Sequence, residues 1–128
     1  MARFTKSFLP LIVLNQIAEG DRRREPVWGY RISELVEEQS NGRFRLLAGT
    51  LYPLLTSLEN EGLIEGEWGQ DEAGPRRRYF HLTSTGKKVL EEETESYRVL
   101  AKLVTPKSGN NLPNPQQRKK IVRTGTHD

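Results

Sequence analysis

At 128 residues the chain has room for one domain and not two, since a core that folds unaided commonly takes about 100–150 residues. Hydrophobic residues make up 34% and charged residues 29%, which excludes a chain too polar to collapse, and no stretch reaches the roughly 20 apolar residues of a membrane-spanning helix. There is no cysteine, hence neither a disulfide framework nor a thiolate metal site, and a net charge of +3 with a pI near 9.3 points to an acidic partner.

Arg3 and Lys6 ahead of the apolar run Phe8 to Leu14 imitate a secretory leader. Pro10 interrupts that run, however, Asn15 and Gln16 follow it, and no small-residue cleavage site precedes Glu19. The segment reads as a helix of a cytoplasmic protein. Phe8, Leu9, Leu11, Ile12, Leu14 and Ile17 recur at three- and four-residue steps, predicting helix 1 over about 5–19 with Gly20 as its stop. Asp21 to Pro26, with Arg22-Arg23-Arg24 inside it, is expected as an exposed loop. Helix 2 is predicted from about Gly29 to Gln39, with Tyr30, Ile32, Leu35 and Val36 on its apolar face and Ser40-Asn41-Gly42 ending it. Helix 3 occupies about 49–61, with Leu51, Leu54, Leu55 and Leu58 as its buried stripe and Gly62 as its stop. Pro53 requires that this helix begin close to Gly49 or Thr50.

Leu63 to Trp68 and Arg78 to Leu82 have strand composition, separated by the turn-rich Gly69 to Pro75, and are read as a two-stranded hairpin. Thr83 is placed to cap a long fourth helix running to about Val104, whose Glu91-Glu92-Glu93 reads as a solvated acidic run. From residue 105 onward five basic residues stand against one acidic, with no apolar periodicity, so 105–128 is expected as a disordered basic tail. The remainder holds fifteen basic and sixteen acidic residues, so any attraction for an anion from the folded part must come from local patches.

Three helices, a two-stranded hairpin and a further helix, in a chain this short, share one core. That order is a mainly α, α+β architecture, the winged helix-turn-helix, with residues 1–83 expected as the DNA-binding domain and 84–104 as a separate C-terminal helix, to which the resemblance given below assigns dimerisation. In it the third helix enters a major groove of double-stranded DNA about 12 Å wide, while the hairpin, or wing, lies along the flanking backbone or minor groove. Thr50, Tyr52, Thr56, Ser57 and Asn60 supply hydroxyls and an amide on the third helix. Arg76, Arg77 and Arg78 supply three guanidiniums on the wing, and because neighbouring strand residues face opposite ways, Arg77 or Arg78 is expected to reach DNA rather than both. Tyr52 reads equally as a contact or as a half-buried helix residue, and the arginines equally as a solvated hairpin end.

The runs Gly49-Thr50-Leu51-Tyr52-Pro53-Leu54-Leu55, Leu58-Glu59-Asn60-Glu61-Gly62-Leu63-Ile64 and Arg76-Arg77-Arg78-Tyr79-Phe80-His81-Leu82-Thr83-Ser84-Thr85-Gly86 closely resemble the PadR family of transcriptional regulators. Gly29-Tyr30-Arg31-Ile32 is similar to that family's segment at the start of helix 2, so four motifs in order cover roughly residues 5–104. The resemblance implies a sequence-specific DNA-binding regulator, usually a repressor, acting as a homodimer on an operator. The residues and the resemblance together make Tyr30, Thr50, Tyr52, Pro53, Ser57, Arg76, Arg77 and Arg78 the expected DNA-binding residues, with Arg43 and Arg45 added because the third helix has no basic residue of its own. With one helix after the hairpin the chain looks like the family's short members, and Leu90, Tyr97, Leu100 and Val104 form a stripe that a partner helix would cover together with helix 1.

Tyr97 is also a candidate for stacking a small aromatic effector, plain interface packing being the simpler reading. The sequence departs from the family pattern in its long charged loop after helix 1 and in Leu47-Ala48 where a polar cap is usual. It also has Thr56-Ser57 where a basic pair is frequent, which leaves the third helix without Lys or Arg. That poverty of charge keeps open a winged-helix module that binds protein instead of DNA. Trp28 and Trp68 read as structural aromatics, and His81 and His127 have no metal-ligand spacing. No nucleophile triad or Gly-rich phosphate loop is present, so neither an enzyme nor a cofactor is expected.

Overall fold

The computed structural model describes residues 8–69 and 74–106. The predicted start of helix 1 at 5–7 and the tail from 107 onward lie outside those residues. In chain order the elements are α1 (Leu9–Arg23), β1 (Val27–Trp28), α2 (Gly29–Gln39), α3 (Ala48–Asn60), β2 (Ile64–Trp68), β3 (Arg78–Leu82) and α4 (Ser84–Val104). The chain divides into two compact units between Glu95 and Ser96.

In the first unit, Val13, Leu14 and Ile17 of α1 meet Ile32 and Val36 of α2 and Leu51, Leu55 and Leu58 of α3 in one core. These positions repeat at three and four residues, so each helix buries one stripe and solvates the other. Leu63, Ile64, Phe80 and Leu82 close the core from the sheet, and Val89 closes it from α4.

Two boundaries differ from the sequence expectation. Helix α1 passes through Gly20 and ends at Arg23, with Arg24 in the left-handed conformation (φ 60°) donating its N–H to Asp21. Gly20 is therefore no stop. A Cβ there would stand 2.9 Å from the Glu25 carbonyl oxygen and 3.2 Å from Val27 Cγ1, so the glycine admits the chain folding back beside the helix. Asp21, expected in an exposed loop, sits on the last turn of α1 instead. Its Oδ2 accepts the Leu82 N–H at 2.9 Å, and its Oδ1 lies 2.7 Å from His81 Nδ1.

That fold-back produces a strand which composition does not reveal. Val27 and Trp28 pair antiparallel with Phe80 and Tyr79, so the wing hairpin is part of a three-stranded sheet in the order β1-β3-β2. In the hairpin itself Ile64 faces Leu82, Gly66 faces Phe80 and Trp68 faces Arg78. A two-residue strand is set by pairing on β3 and carries too few residues for a period-2 signal.

Helix α4 begins in a clamp on the turn after α3. Thr83 Oγ1 donates to the Gly62 carbonyl at 2.6 Å and accepts the Gly86 N–H at 2.9 Å, capping the helix as expected. Gly62 itself has φ +77°, the left-handed geometry that ends α3. A Cβ on Gly86 would lie 1.9 Å from the Leu63 carbonyl oxygen, so only glycine lets the first turn of α4 approach this closely. The docking orients positions 86, 89 and 93 inward, and Glu93 is buried with Gly86 and Val89. The acidic run is thus solvated at Glu91 and Glu92 and not at Glu93, because the helical repeat follows Gly86 rather than the charge.

Gly86→Ala is expected to lower unfolding stability by about 1–3 kcal/mol, the usual cost of overpacking. Gly49→Ala, at an exposed helical position with no atom within 4 Å of the added carbon, should be neutral or stabilising. Urea unfolding of both variants by circular dichroism checks the contrast.

Candidate nucleic-acid interface

Helix α3 starts at Ala48 without a side-chain cap, as Leu47-Ala48 predicts; Leu47 occupies the N-cap position in extended conformation. Its carbonyl accepts the N–H groups of Thr50 and Leu51 at 3.0 and 2.9 Å. With no side chain over them, the first amides of the helix and the positive end of its dipole are open to an anion. Pro53 lies in the second turn, where it removes the bond to the carbonyl of Gly49, an exposed residue at which water can replace that bond.

Thr50, Tyr52, Pro53, Thr56, Ser57 and Asn60 are exposed, opposite the buried Leu51, Leu55 and Leu58. Thr56 donates back to the Tyr52 carbonyl at 3.1 Å. Tyr52 is half exposed, and its ring covers Gly29 at the start of α2. A Cβ on Gly29 would stand 2.7 Å from the Tyr52 hydroxyl oxygen and from Cε1. The glycine of the Gly-Tyr-x-Ile segment and the tyrosine of the Leu-Tyr-Pro segment are two sides of one contact.

Tyr30 is corrected from the apolar face of α2 to its solvent side, with 64% of its surface exposed. Being second in the helix, it stands next to Gly29 and the Tyr52 ring. Arg43 is exposed on the turn between α2 and α3, and Arg45 meets Glu37 at 3.4 Å through a side chain that stays 70% exposed.

The wing arginines are held in three different ways. Arg76 lies over the Trp68 ring at 5.0 Å, and Arg77 lies over the Trp28 ring at 4.2 Å. Trp28 in turn meets Tyr79 edge to face at 5.7 Å. Arg78 points to the same face as Phe80 and Leu82, where its Nη2 is bonded to Glu59 Oε2 of α3. Stacking restrains a guanidinium while leaving its in-plane N–H groups available, so Arg76 and Arg77 are pre-ordered cations. Between α3 and the wing runs an open groove of about 410 Å³ whose lining includes Tyr52, Thr56, Glu59, Trp68, Arg76 and Arg77.

Trp28 and Trp68 therefore do more than fill the fold, and sequence reasoning missed them as the seats of the arginines. Trp68 pairs with Arg78, yet the guanidinium over it belongs to Arg76, two residues earlier, so the pairing alone does not announce that seat, and Trp28 depends on β1, which composition does not announce. Arg22 and Arg23 converge on Glu19 at 2.5 and 3.7 Å in exposed pairs. The Arg22 hydrogen bond holds the Glu19 carboxyl below its ordinary value, and the exposure leaves these pairs little weight in stability.

With this geometry in place, residues 21–92 match the Transcriptional regulator PadR-like family. The chain belongs to that family. Its relatives include a transcriptional regulator of Mycobacterium tuberculosis, 31% identical over 104 residues that make up 81% of this chain and 89% of that protein. A PadR-like regulator from Bacillus cereus superposes with a TM-score of 0.63 at 31% identity, covering 76% of this chain and 87% of that one. A PadR regulator from Eggerthella lenta gives a TM-score of 0.62 at 32% identity, covering 76% and 78%. The PadR family consists of transcriptional regulators with a DNA-binding winged helix and not of enzymes. Among the described residues there is no helix long and apolar enough to cross a membrane and no group of side chains that could hold a metal ion.

Tyr97 lies in the second unit, on the part of α4 where Val99, Leu103 and Val104 are also exposed. Nothing in the structure or among the relatives supports an aromatic ligand beside it.

The Gly29–Tyr52 contact predicts coupled effects on stability. Gly29→Ala should cost about 1–3 kcal/mol in the native chain and much less in a Tyr52→Ala background, a non-additivity that a double-mutant cycle by thermal unfolding would register.

Proposed function

We propose that the protein is a homodimeric repressor that holds a roughly palindromic operator with α3 in the major groove and the wing on the flanking backbone. The observation that carries this reading is the pair of indole-seated cations, Arg77 on Trp28 and Arg76 on Trp68, lining one groove with Tyr52 and Thr56 of α3, a helix whose start is uncapped. A helix with an open N-terminus and no positive side chain selects by hydroxyl, ring and amide contacts, while ordered arginines alongside supply attraction. In this reading Thr50, Tyr52, Pro53 and Ser57 face base edges, and Tyr30, Arg43 and Arg45 meet phosphates. Arg76 and Arg77 meet the backbone or a narrow minor groove.

The homodimer is inferred from α4, whose Val99, Leu103 and Val104 are more than half exposed, with Tyr97 close to that. Large apolar side chains left exposed along one helix are covered by a second copy of the same helix. Packing within that pair accounts for Tyr97 without an effector.

Binding to DNA from upstream of its own gene should weaken steeply as salt rises, with log K falling by about 0.9 per phosphate neutralised. Arg77→Ala should reduce that slope by about one and weaken all sequences alike, whereas Thr50→Ala should change the preference among operators. Fluorescence anisotropy across a salt series measures both. A protein that keeps its dimer mass yet binds no such fragment would be a protein-interaction module instead. Light scattering at micromolar concentration is expected to give the mass of two chains, and Leu103→Glu, placing a charge among the exposed apolar side chains of α4, is expected to lower it toward one.

A further inference from the structure

Glu59 is the only charged residue of α3, and it is an acid on a helix proposed to lie against DNA. Simple electrostatics makes it a liability there. The structure gives it a different occupation. One carboxylate oxygen, Oε2, takes both strands of the wing hairpin: it accepts the Gly66 N–H of β2 at 3.4 Å and is bonded by Arg78 Nη2 of β3. To reach it the Arg78 guanidinium crosses the wing over Gly66, where a Cβ would stand 2.2 Å from Nε and 2.5 Å from Cζ. The Arg78 side chain also lies against Phe80, with Cζ 5.8 Å from the ring centre, and its Nε is buried with no hydrogen-bond partner. Both members of the pair are two-thirds covered, each side chain being 33% exposed.

The covalent path between α3 and the wing is the short turn Glu61-Gly62-Leu63, whose Gly62 has φ +77° and carries no side chain to stiffen it. Rotation about that turn changes the angle between the reading helix and the wing. The Glu59 carboxylate, at the last turn of α3, bridges the turn and bonds the hairpin on its far side.

We propose that Arg78 is a positioning residue for DNA recognition, acting through Glu59 to fix the wing on α3, and that it does not itself hold a phosphate. The proposal rests on the DNA-binding reading above. A guanidinium already bonded to a carboxylate, partly dehydrated and packed over an aromatic ring would have to abandon Glu59 to reach DNA. That move would leave an uncompensated acid facing the phosphate backbone, which is costly on both counts. Arg76 and Arg77, seated on indole faces with no carboxylate partner among the described residues, need no such exchange.

The two roles give opposite signs in one measurement. Binding of the full-length wild type and of the Glu59→Gln, Arg78→Ala and Glu59→Gln/Arg78→Ala variants to an operator fragment would be followed by anisotropy across a salt series, with circular dichroism confirming the fold. If Arg78 positions, Glu59→Gln weakens binding by on the order of tenfold although it removes a negative charge from the interface. Arg78→Ala does the same, the double variant is no worse than either single one within about twofold, and the salt slope stays at the wild-type value. The charge exchange Glu59→Arg/Arg78→Glu recovers part of the affinity. If Arg78 holds a phosphate, Glu59→Gln binds as tightly as wild type or more tightly, and Arg78→Ala loses about one unit of salt slope, which overturns the proposal.

Hydrogen exchange of the Gly66 amide separates this from failure of the functional reading. Should wild type bind no operator, that reading falls, and the strut is judged by exchange alone. Faster exchange at Gly66 in Glu59→Gln and in Arg78→Ala supports it, and exchange unchanged in both refutes it.

Discussion

Helix α3 carries no lysine or arginine, and its single charge has the sign of the phosphate backbone. Everything proposed about this molecule follows from that constraint. Attraction is left to elements around the helix, and the helix must be held by contacts that do not depend on DNA. In the proposed reading the wing meets the first need with cations whose orientation is set before DNA arrives, since Arg77 and Arg76 rest on Trp28 and Trp68. Rotamer entropy already surrendered in the free protein does not count against binding.

The second need is met by close approaches that require particular residues. Tyr52 lies on Gly29, Gly86 on the Leu63 backbone, and Thr83 bonds Gly62, so α3 is fastened near both ends and at the turn that follows it. These are the residues of the segments that resemble the PadR family. Their spacing in the chain looks arbitrary until the fold brings Gly29 to Tyr52 and Gly62-Leu63 to Thr83-Gly86, after which each motif is one half of a contact. Asp21 adds a further tie, joining the end of α1 to β3 through the Leu82 N–H and His81.

The order of helices and strands is legible in the sequence because each helix carries an apolar stripe at three- and four-residue steps and because Ser40-Asn41-Gly42, Gly62 and Thr83 mark ends. What escapes it depends on approach distance or pairing. Gly20 reads as a stop because glycine commonly ends helices, whereas here it admits the returning chain beside Val27. Strand β1 owes its existence to β3 and carries no periodicity of its own. Of the DNA-binding candidates, the chemistry of Arg76 to Arg78 is readable but their separate fates are not. Which guanidinium meets an indole and which meets Glu59 is decided by the hairpin register and by an element nineteen residues earlier.

In the proposed dimer, a reading helix without basic side chains, a stacked wing and a pair of α4 helices together make a definite footprint. Two α3 helices related by a twofold axis would reach successive major grooves on one face of the duplex, about 34 Å or roughly 10 base pairs apart. Hydroxyl-radical footprinting of the DNA upstream of the gene tests this most directly. Two protected patches one helical turn apart are expected, with twofold-related sequence and weaker protection outside each where the wing lies. A single unpaired patch, or no protection at low salt by protein that scatters as a dimer, would contradict it.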